Sequence, residues 1–535
     1  MDAAACQTVD PDEWIAYLQD RCAYPHRPET VTLIQTHISY VVVAPPYVYK
    51  IKKPVDLGFL DFTDAQQRQH FCRREVDLNR RLCPDIYEGV VPVSLTQTGL
   101  AFEDATHTVE HAVKMKQLAP AGFWHTRLEK GQVTGADIDG LVLLLSSFYR
   151  EQRPRPEVAQ NGTVQAINAV IRENVEQTRR FVNDLIADYA FQAIGRYNEQ
   201  FFARYTPLLN RRRVEGCILD CHGDLRLEHI HLGPDGIRVF DRIEFNDRFR
   251  HIDVANEIAF LAMDFDVRGR GDLADTVATK MAAALTDSGL LKVLDFYKCY
   301  RAYVRAKVHS LKSIAPDVPP DEQDASRQRA ACLYRLSLQY ALTGSEPMVL
   351  ILIGRIGTGK STLAGALADA LGWAILDSDV IRKQLAGVPL AQRPEPAVRD
   401  TLYTAHMTDK TYNALMKKAV AYARQGKSCL VDAVFGSPAR RVRFRDKLEA
   451  ADVRYCFVEL SAADETVRQR LAGRGEDEPV ISDARLEDYP RLSTAFHPPD
   501  ALEQWRCFRV HTDRPLSQTA LAVLNGVIRL QPLMT

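Results

Sequence analysis

The residues with the clearest chemical potential are GRIGTGKS at 354–361, a Gly-x-x-x-x-Gly-Lys-Ser loop. Its glycines let backbone N–H groups turn inward around phosphate oxygens, and a helix beginning there would add the positive end of its dipole. Lys360 is placed to bridge β- and γ-phosphates, and Ser361 to ligate Mg²⁺. We therefore predict that ATP and Mg²⁺ bind here. The predicted nucleotide contacts are Gly354, Gly357, Thr358, Gly359, Lys360, Ser361 and Thr362.

A carboxylate and a guanidinium follow this loop, at Asp379 and Arg382, where a second helix is predicted to begin. Three residues are nearly one helical turn, so both side chains can face the phosphate loop. Asp379 could then accept the proton of an attacking hydroxyl, and Arg382 could hold a phosphate or the acceptor. The alternative is structural, because Asp379 and Ser378 are both good helix caps.

Two further elements favour phosphate chemistry in this half of the chain. Asp432 ends an apolar strand, where a Mg²⁺ ligand is expected, although a turn residue is the alternative. Arg470 and Arg474 share a helix face in VRQRLAGRGEDEP, before a Gly-containing acidic loop. This pattern fits a mobile segment that closes arginines over the transferred phosphate, or else a solvated basic helix face.

Residues 348–530 resemble the small P-loop kinases grouped with gluconate kinase, chloramphenicol phosphotransferase, zeta toxins and phage-type polynucleotide kinases. The resemblance lies in GRIGTGKSTLA, DSDVIRKQLAG, GKSCLVDAVF and RLAGRG. It implies transfer of the ATP γ-phosphate to a hydroxyl, with Lys360 and Ser361 on ATP–Mg²⁺. It also implies Asp379 as the base, Arg382 on the acceptor and closing arginines. It does not identify the hydroxyl.

A second pair of carboxylates lies in the first half, at Asp224 in CHGDLRLEHIHL and Asp241 in VFDRIEFND. An Asp in a loop beside a short strand, then an Asp ending a strand 17 residues later, is the spacing of a kinase catalytic loop and its metal-binding Asp. Asp224 is the candidate base and Asp241 the candidate metal ligand. Two structural turn aspartates are the alternative.

The candidate ATP lysine of this half lies in YVYKIKKP. By strand alternation Lys50 and Lys52 share a face. Lys50 fits best, because an apolar strand precedes it, whereas Lys52 runs into a turn. Glu75, in the predicted helix HFCRREVDLNRRL, is its natural ion-pair partner. A solvated strand face is the alternative for Lys50.

Residues 30–340 resemble the aminoglycoside phosphotransferase-like kinases. The whole chain is similar to a bacterial two-domain group of predicted kinases, which join such a domain to a C-terminal P-loop kinase. The runs VYKIKKPVDLGFLDF, HFCRREVDLNRRL, CHGDL and EFNDRFRHIDVANEIAFLAMD carry the resemblance. His229 stands at the family position for a metal-binding Asn and is a candidate ligand, while Arg226 stands where many relatives have His. Because Mg²⁺ prefers oxygen, either the second metal is dispensable or this half binds without catalysing.

These motifs need elements to position them, and the hydrophobic pattern changes across TGSEP at 343–347. After it, apolar strands alternate with helical stretches, which predicts a parallel sheet covered on both faces. Before it, two short strands within 31–55 and a helix at 63–82 precede long helical stretches, which predicts a two-lobed domain. We expect an α+β, bilobed protein-kinase-like domain at 1–343, then an α/β parallel-sheet P-loop NTPase domain at 348–535.

Composition limits the partners. The 535 residues carry a net charge of -1, from 68 basic and 69 acidic side chains, so no global basic field recruits nucleic acid or membrane. The longest apolar runs, MVLILI and LVLLL, fall well short of the roughly 18–20 residues that span a bilayer. The first 30 residues lack a secretory pattern, and the 11 Cys include no CxxC pair. We expect free thiols, a reducing cytoplasm and no membrane partner.

Three functions fit these observations. The first is an ATP-dependent kinase that phosphorylates a hydroxyl of a small molecule, with a second kinase-like site in the N-terminal domain. The second is an RNA or DNA 5′-hydroxyl kinase, since ARRVRFRDK at 439–447 could follow a phosphate backbone, although the net charge favours a solvated helix. The third is a regulatory ATPase whose N-terminal half senses a ligand, which His229 motivates. The acceptor, the oligomeric state and any succession between the two sites stay open.

Overall fold

The structure is a computed structural model of the chain. It describes residues 11–58, 60–316, 318–390, 395–473, 486–500 and 506–531. The chain divides into two compact units: Met1–Ala169 with Pro207–Leu294, and Val170–Thr206 with Asp295–Thr535. None of the described helices is both long enough and apolar enough to cross a membrane.

Along the first part of the chain the helices and strands are α1 (Pro11–Gln19), β1 (Thr32–Gln35), β2 (Ser39–Ala44), β3 (Tyr47–Lys52), α2 (Ala65–Asn79), β4 (Tyr87–Thr96), β5 (Gly99–Phe102), β6 (Thr108–Lys116), α3 (Trp124–Glu129), α4 (Gly135–Arg150), α5 (Pro156–Ala159), α6 (Val164–Thr178), α7 (Asp188–Val214), β7 (Ile218–Asp220), β8 (Ile230–Gly233), β9 (Gly236–Val239), β10 (His251–Asp253), α8 (Val254–Val267), α9 (Gly271–Leu285) and α10 (Leu290–Lys312).

The later elements are α11 (Pro320–Thr343), β11 (Met348–Ile353), α12 (Lys360–Leu371), β12 (Ala374–Asp377), α13 (Ser378–Ala386), α14 (Pro396–Leu402), α15 (Ala405–Arg424), β13 (Cys429–Asp432), α16 (Pro438–Glu449), β14 (Arg454–Ser461), α17 (Asp464–Ala472), α18 (Tyr489–Thr494), β15 (Cys507–His511) and α19 (Leu516–Leu530). Short 3-10 turns lie at Arg21–Ala23, Pro120–Gly122, Gln160–Gly162, Arg179–Phe181, Leu227–His229, Asp247–Phe249 and Leu486–Asp488.

The first unit contains a six-stranded antiparallel sheet in the order β1-β2-β3-β6-β4-β5. In β3, Tyr49 and Ile51 are buried in one core cluster. Because side chains alternate along a strand, Lys50 and Lys52 share the other face, and both reach Glu75 on α2. The sheet therefore holds two lysines beside one helix.

The first of the two strands predicted within residues 31–55, VTLIQTHISYVVV at 31–43, is in fact two strands, β1 and β2, which pair antiparallel. The side chain of Thr36 explains the turn between them. Its Oγ1 accepts hydrogen bonds from the N–H groups of Ile38, at 3.4 Å, and Ser39, at 2.9 Å. A Thr hydroxyl that bonds to nearby backbone competes with strand pairing, and the apolar pattern alone does not reveal this.

The rest of the first unit carries two small antiparallel sheets, β7 with β10 and β8 with β9. A loop at residues 221–229 connects β7 to β8. Helix α8, buried along most of its length, follows β10 directly and contacts α9. This part of the unit positions Asp224 and Asp241.

The second unit contains a parallel five-stranded sheet in the order β12-β13-β11-β14-β15. This confirms the predicted parallel sheet. Helices α15 and α16 contribute to the core cluster on one side of β11, and α12 contacts α19 and β13. The unit also includes residues 170–206 and 295–343, which precede the predicted domain boundary.

Candidate active sites

The phosphate loop at 354–359 joins β11 to α12 and is shaped by its glycines. Gly354 has φ 145°, and a Cβ there would lie 2.4 Å from the carbonyl oxygen of Leu460. Gly357 has φ 73°, and a Cβ there would lie 2.8 Å from Val467 Cγ1. Only glycine combines this backbone with this close packing, and such a backbone suits a loop that wraps around phosphate oxygens.

Lys360 is the first residue of α12, and its Nζ donates to the carbonyl oxygens of Gly354, at 3.0 Å, and Arg355, at 2.9 Å. The loop thus curls around an ammonium group at a helix N-terminus, a site suited to phosphate oxygens. Gly359 is the N-cap, with φ 85°. Ser361 and Thr362 follow in the first turn and are both exposed.

Asp432 ends β13 beside this helix, and its carboxylate is hydrogen-bonded to Ser361. Its Oδ2 is buried and has no hydrogen-bond partner. Burial raises the pKa of Asp432, while Lys360 and the Ser361 hydroxyl lower it. A buried, unpartnered carboxylate oxygen next to a serine hydroxyl is a set of oxygen donors that fits Mg²⁺. The residues therefore fit ATP–Mg²⁺, with phosphates on the loop and Lys360.

Asp377, at the end of β12, is a residue that our sequence analysis missed. It pairs in register with Asp432, and its Oδ1 accepts from the N–H groups of Asp379, at 2.6 Å, and Val380, at 3.0 Å. Burial and the nearby Asp432 raise its pKa. The N-cap of α13 is therefore Asp377, and Asp379 lies in the first turn. An Asp just before a helix is a signal that could have identified this cap.

Asp379 and Arg382 both lie on α13, with Asp379 Oδ1 3.8 Å from Arg382 Nε. Arg382 is buried and donates to the carbonyl oxygen of Leu402, at 3.1 Å, and to Thr408 Oγ1, at 3.3 Å. Its guanidinium lies over the ring of Tyr403, 4.6 Å from the centroid. The pair is close in space, and Arg382 contacts the last residue of α14, the first turn of α15 and Tyr403 between them.

Arg470, on α17, lies against the phosphate loop. Its guanidinium donates to Thr512, at 3.0 Å to the hydroxyl and 2.6 Å to the carbonyl oxygen, and the Thr512 hydroxyl donates to the carbonyl of Thr358 at 3.0 Å. A Cβ on Gly359 would lie 3.6 Å from Arg470 Nη1. The other predicted arginine, Arg474, lies outside the described residues.

In the first unit, Lys50 connects two carboxylates. Its Nζ lies 2.9 Å from Glu75 Oε1 and 2.6 Å from Asp241 Oδ1. Partial burial raises the pKa of Asp241, but Lys50 and His229 lower it more, so the net shift is downward. Asp241 adopts φ 64°, a left-handed backbone that is uncommon for a residue with a side chain.

A second lysine, Lys52, belongs to the same cluster. The sequence predicted that it shares a strand face with Lys50 but not that it pairs with Glu75. Lys52 Nζ lies 2.9 Å from Glu75 Oε2 and also contacts Glu244. Glu75 and Lys52 are almost fully buried. Each oxygen of Glu75 thus has its own lysine. The same-face spacing of Lys50 and Lys52 was the available signal; nothing in the sequence pointed to Glu244.

The candidate base Asp224 forms a bidentate ion pair with Arg226. Arg226 Nε lies 3.0 Å from Asp224 Oδ1, and Arg226 Nη2 lies 3.0 Å from Asp224 Oδ2. His229 Nδ1 donates to the Asp224 carbonyl oxygen at 2.8 Å, and its Nε2 lies 3.5 Å from Asp241 Oδ2. The structure thus brings Asp224, Asp241 and His229 together.

Glu257, on α8, supports this loop and was not singled out from the sequence. It accepts from the N–H groups of His222, at 2.5 Å, and Gly223, at 2.8 Å, and from the hydroxyl of Tyr149, at 3.1 Å. Burial lowers the pKa of His222 to about 3, so this ring is neutral at pH 7. A buried carboxylate thus fixes the backbone immediately before Asp224.

Comparison with known proteins connects the P-loop site with a family model. Residues 349–499 match the family described as AAA domain. The shikimate kinase of Corynebacterium diphtheriae is 26% identical over 192 residues, which cover 35% of this chain and 98% of that one. With the loop at 354–361, these matches identify a C-terminal P-loop kinase domain.

Solved structures are also similar to about a third of the chain. A gluconokinase from Sinorhizobium meliloti is 19% identical, covers 34% of this chain and 93% of its own, and has a TM-score of 0.26. The APS kinase of Mycobacterium tuberculosis is 17% identical, covers 34% of this chain and 98% of its own, and also has a TM-score of 0.26.

A relative that spans both units comes from Mycobacterium tuberculosis, the uncharacterized protein Rv2004c. It is 30% identical over 446 residues, which cover 82% of this chain and 85% of the relative. Since the match extends over most of both sequences, the chain belongs to the same family as Rv2004c.

Proposed function

We propose that this protein is an ATP-dependent kinase that transfers the γ-phosphate of ATP to a hydroxyl of a small molecule at the P-loop site of the second unit. In this proposal Lys360 and the loop N–H groups bind the phosphates, and Ser361 and Asp432 hold Mg²⁺, which neutralises charge on the transferring phosphate. Asp379 accepts the proton of the acceptor hydroxyl, and Arg382 orients the acceptor.

One observation carries this proposal: the carboxylates at the ends of β12 and β13 lie beside the phosphate loop. Asp432 pairs in register with Leu352 on β11 on one side and Asp377 on the other, and it is hydrogen-bonded to Ser361. Phosphate-binding N–H groups and acidic side chains then meet at the carboxyl edge of a parallel sheet, where ligands of such folds bind. Asp379 follows Asp377 by two residues.

The direct test is the release of ADP from Mg-ATP in the presence of candidate acceptors. The panel contains sugars, hydroxy acids, nucleosides, aminoglycosides and 5′-hydroxyl oligonucleotides, assayed with wild type, Lys360→Ala and Asp224→Ala. We expect acceptor-dependent ADP release that Lys360→Ala abolishes and Asp224→Ala retains. If Asp224→Ala abolishes the release and Lys360→Ala retains it, phosphotransfer belongs to the first unit and the proposal fails.

A small acceptor is favoured over a nucleic acid by the contacts of the arginines on α16. Arg441 is buried and donates to the carbonyl oxygens of Phe435, at 2.9 Å, and His497, at 2.7 Å. Arg440 lies 3.3 Å from Asp409, and Arg445 lies 2.7 Å from Asp446. Arg441 is thus held within the protein, and Arg440 and Arg445 each have an acidic partner at the surface, so weak dependence of acceptor KM on salt is expected.

We also propose a second nucleotide site in the first unit, where Lys50 contacts both Glu75 and Asp241. Lys50 would neutralise phosphate oxygens, Asp241 would hold Mg²⁺ and Asp224 would accept a proton. His229 Nε2, 3.5 Å from Asp241, is the candidate for a further metal contact. Because Arg226 occupies both oxygens of Asp224, catalysis here requires that this ion pair opens; a site that only senses nucleotide would keep it closed.

Nucleotide stoichiometry tests the second site without knowledge of any acceptor. Calorimetric titration with Mg²⁺ and a non-hydrolysable ATP analogue should give two equivalents per chain. Lys360→Ala and Lys50→Ala should each remove one equivalent, and the double variant should remove both. A wild-type stoichiometry of one that Lys50→Ala leaves unchanged would contradict a nucleotide site in the first unit.

A further inference from the structure

A cluster of arginines in the first unit surrounds one carboxylate, that of Asp220 at the end of β7. Asp220 Oδ1 lies 2.8 Å from Arg242 Nη2 and 2.9 Å from Arg250 Nη1. Its other oxygen, Oδ2, lies 4.0 Å from Arg81 Nη1 and 3.9 Å from Arg155 Nη2. Two buried arginines therefore bind one oxygen, while two exposed arginines lie just beyond hydrogen-bond distance of the other.

Positive charge outweighs negative charge around Asp220. A further arginine, Arg74 on α2, and the buried Arg250 both contact Asp247. Five arginines thus share two aspartates. His251 Nε2 lies 3.8 Å from Asp220 Oδ1, and burial lowers the pKa of this histidine, which disfavours the charged form of its ring.

Two other acids lie near the cluster, and both have additional partners. Glu157 Oε1 is 3.7 Å from Arg155 Nη1 in a pair that is largely exposed, where water screens the interaction. Glu257 attracts Arg242, but its oxygens accept the hydrogen bonds of the loop N–H groups described above. The excess of guanidinium groups therefore persists when these acids are included.

The buried arginines also retain hydrogen-bonding capacity. Arg242 Nη1 and Arg250 Nε are buried and have no hydrogen-bond partner. Burial lowers the pKa of both guanidinium groups, and nearby arginines, Arg81 for Arg242 and Arg242 for Arg250, lower it further. Buried donors are nearly always satisfied in folded proteins, so these two indicate that the cluster is incomplete as it stands.

We propose that this cluster is a binding site for a phosphate-type oxyanion, held by Arg81 and Arg155 and balanced by the buried arginines. A tetrahedral dianion offers several oxygens to planar guanidinium forks, and it supplies the negative charge that the cluster lacks. A phosphate monoester and free phosphate share this chemistry. The exposed positions of Arg81 and Arg155 leave room for the organic part of a monoester.

The cluster is bonded to the loop that carries Asp224. The N–H of Cys221 donates to the carbonyl of Arg250 at 2.8 Å, and Arg242 Nε donates to the carbonyl of Cys221 at 2.8 Å. An anion bound by the cluster would reduce the repulsion between its arginines and so stabilise the two hydrogen bonds that Arg242 and Arg250 make with Cys221. We therefore expect oxyanion binding to slow hydrogen exchange at the amides of residues 221–224.

The test is calorimetric titration of the full-length protein with inorganic phosphate and, separately, phenyl phosphate. Excess Mg²⁺ and a non-hydrolysable ATP analogue are present, so that both proposed nucleotide sites are filled first. Wild type should bind one equivalent of either probe, with affinity that falls as salt rises. The variant Arg81→Gln/Arg155→Gln should bind at least tenfold more weakly, since it loses charge-assisted hydrogen bonds. Tighter binding of phenyl phosphate would assign the site to monoesters, and equal binding to phosphate itself.

The matched control is Arg153→Gln, which removes an exposed arginine from the same segment and should bind both probes as wild type does. Arg81 and Arg155 are themselves exposed, so the double variant should unfold at the wild-type temperature. The proposal is overturned if neither probe binds, or if the double substitution leaves binding unchanged. Binding without slower exchange at residues 221–224 would overturn the proposed link to the Asp224 loop. None of these results depends on whether the P-loop site phosphorylates an acceptor.

Discussion

At the scale of single residues, the first unit concentrates charge on a buried glutamate. Glu75 is inaccessible to solvent, and each of its oxygens lies 2.9 Å from a lysine, Lys50 or Lys52. Lys52 also contacts Glu244. Buried charges are tolerated only when they are paired in this way, and removal of Glu75 takes one carboxylate partner from each of the two lysines.

We expect Glu75→Gln to destabilise the protein by about 3–5 kcal/mol at pH 7, the usual cost of breaking a buried ion pair. Urea denaturation measures the change. Burial raises the pKa of Glu75, but Lys50 and Lys52 outweigh it, so the folded-state pKa is lowered. Its contribution is therefore complete above the unfolded pKa of about 4.3 and declines as pH falls through the folded value.

The difference between wild type and Glu75→Gln should accordingly shrink in acid. Asp272→Asn is a suitable control, because Asp272 forms an exposed pair with Arg270 and its loss should cost less than about 1 kcal/mol. A Glu75→Gln penalty as small as that of the control would show that the buried pairs contribute little.

Asp379 gives a second prediction at this scale. As the proposed base, it should be required for transfer but not for ATP binding. We expect Asp379→Asn to lower kcat by roughly 10²–10⁴-fold while the affinity for an ATP analogue stays within about twofold. Asp409→Asn, which alters an acid on α15 that pairs with Arg440, should leave both quantities near wild type. Equal losses in the two variants would remove Asp379 from the proposed mechanism.

At the scale of elements, the sequence predicted the parallel sheet and its phosphate loop well. Continuous apolar strands followed by glycine turns leave few alternatives, because each strand must be buried on both faces. The cap of α13 was harder to predict. Asp377, Ser378 and Asp379 are all good caps. Which of them caps α13 depends on the exact residue at which β12 ends, and the sequence does not define that residue. The bidentate ion pair between Arg226 and Asp224 was also not predicted, because side-chain rotamers depend on neighbours that are distant in sequence.

The cap offers a prediction that separates geometry from charge. Asp377→Ala removes the acceptor of the Asp379 and Val380 N–H groups and should cost about 1 kcal/mol. Asp377→Asn retains a good cap and removes a like charge beside Asp432, so stability should stay within about 0.5 kcal/mol of wild type. Thermal unfolding compares the two. If both substitutions destabilise equally, the negative charge matters rather than the cap.

At the scale of the whole molecule, the chain passes between its two compact units more than once. Helices α6, α7 and α10 each contain a point at which one unit ends and the other begins. The second unit therefore draws on segments that precede the P-loop domain in sequence. Its contacts show this directly: Tyr189 donates to the carbonyl oxygen of Ala366 at 2.8 Å.

Helix α11 makes three such contacts with the P-loop domain. Arg335 donates to the carbonyl of Asp369 at 3.1 Å, Arg454 to that of Thr343 at 2.8 Å, and Gln531 to that of Ala341 at 2.7 Å. A fragment of residues 348–535 lacks this helix, whereas a fragment of residues 320–535 retains it. We expect the shorter fragment to unfold at a clearly lower temperature, because it exposes the apolar surface that α11 covers. Equal unfolding temperatures would mean that α11 adds nothing to this domain.

The pairing of one glutamate with two lysines also matters for genetics. Replacing Lys50 leaves Glu75 bound to Lys52, and Asp241, the other partner of Lys50, is 38% exposed and can be solvated. A Lys50 allele should therefore produce a folded protein that has lost only the nucleotide site proposed for its first unit. Such an allele would separate this proposed site from the proposed P-loop kinase in a living cell, where deletion of the gene would remove both.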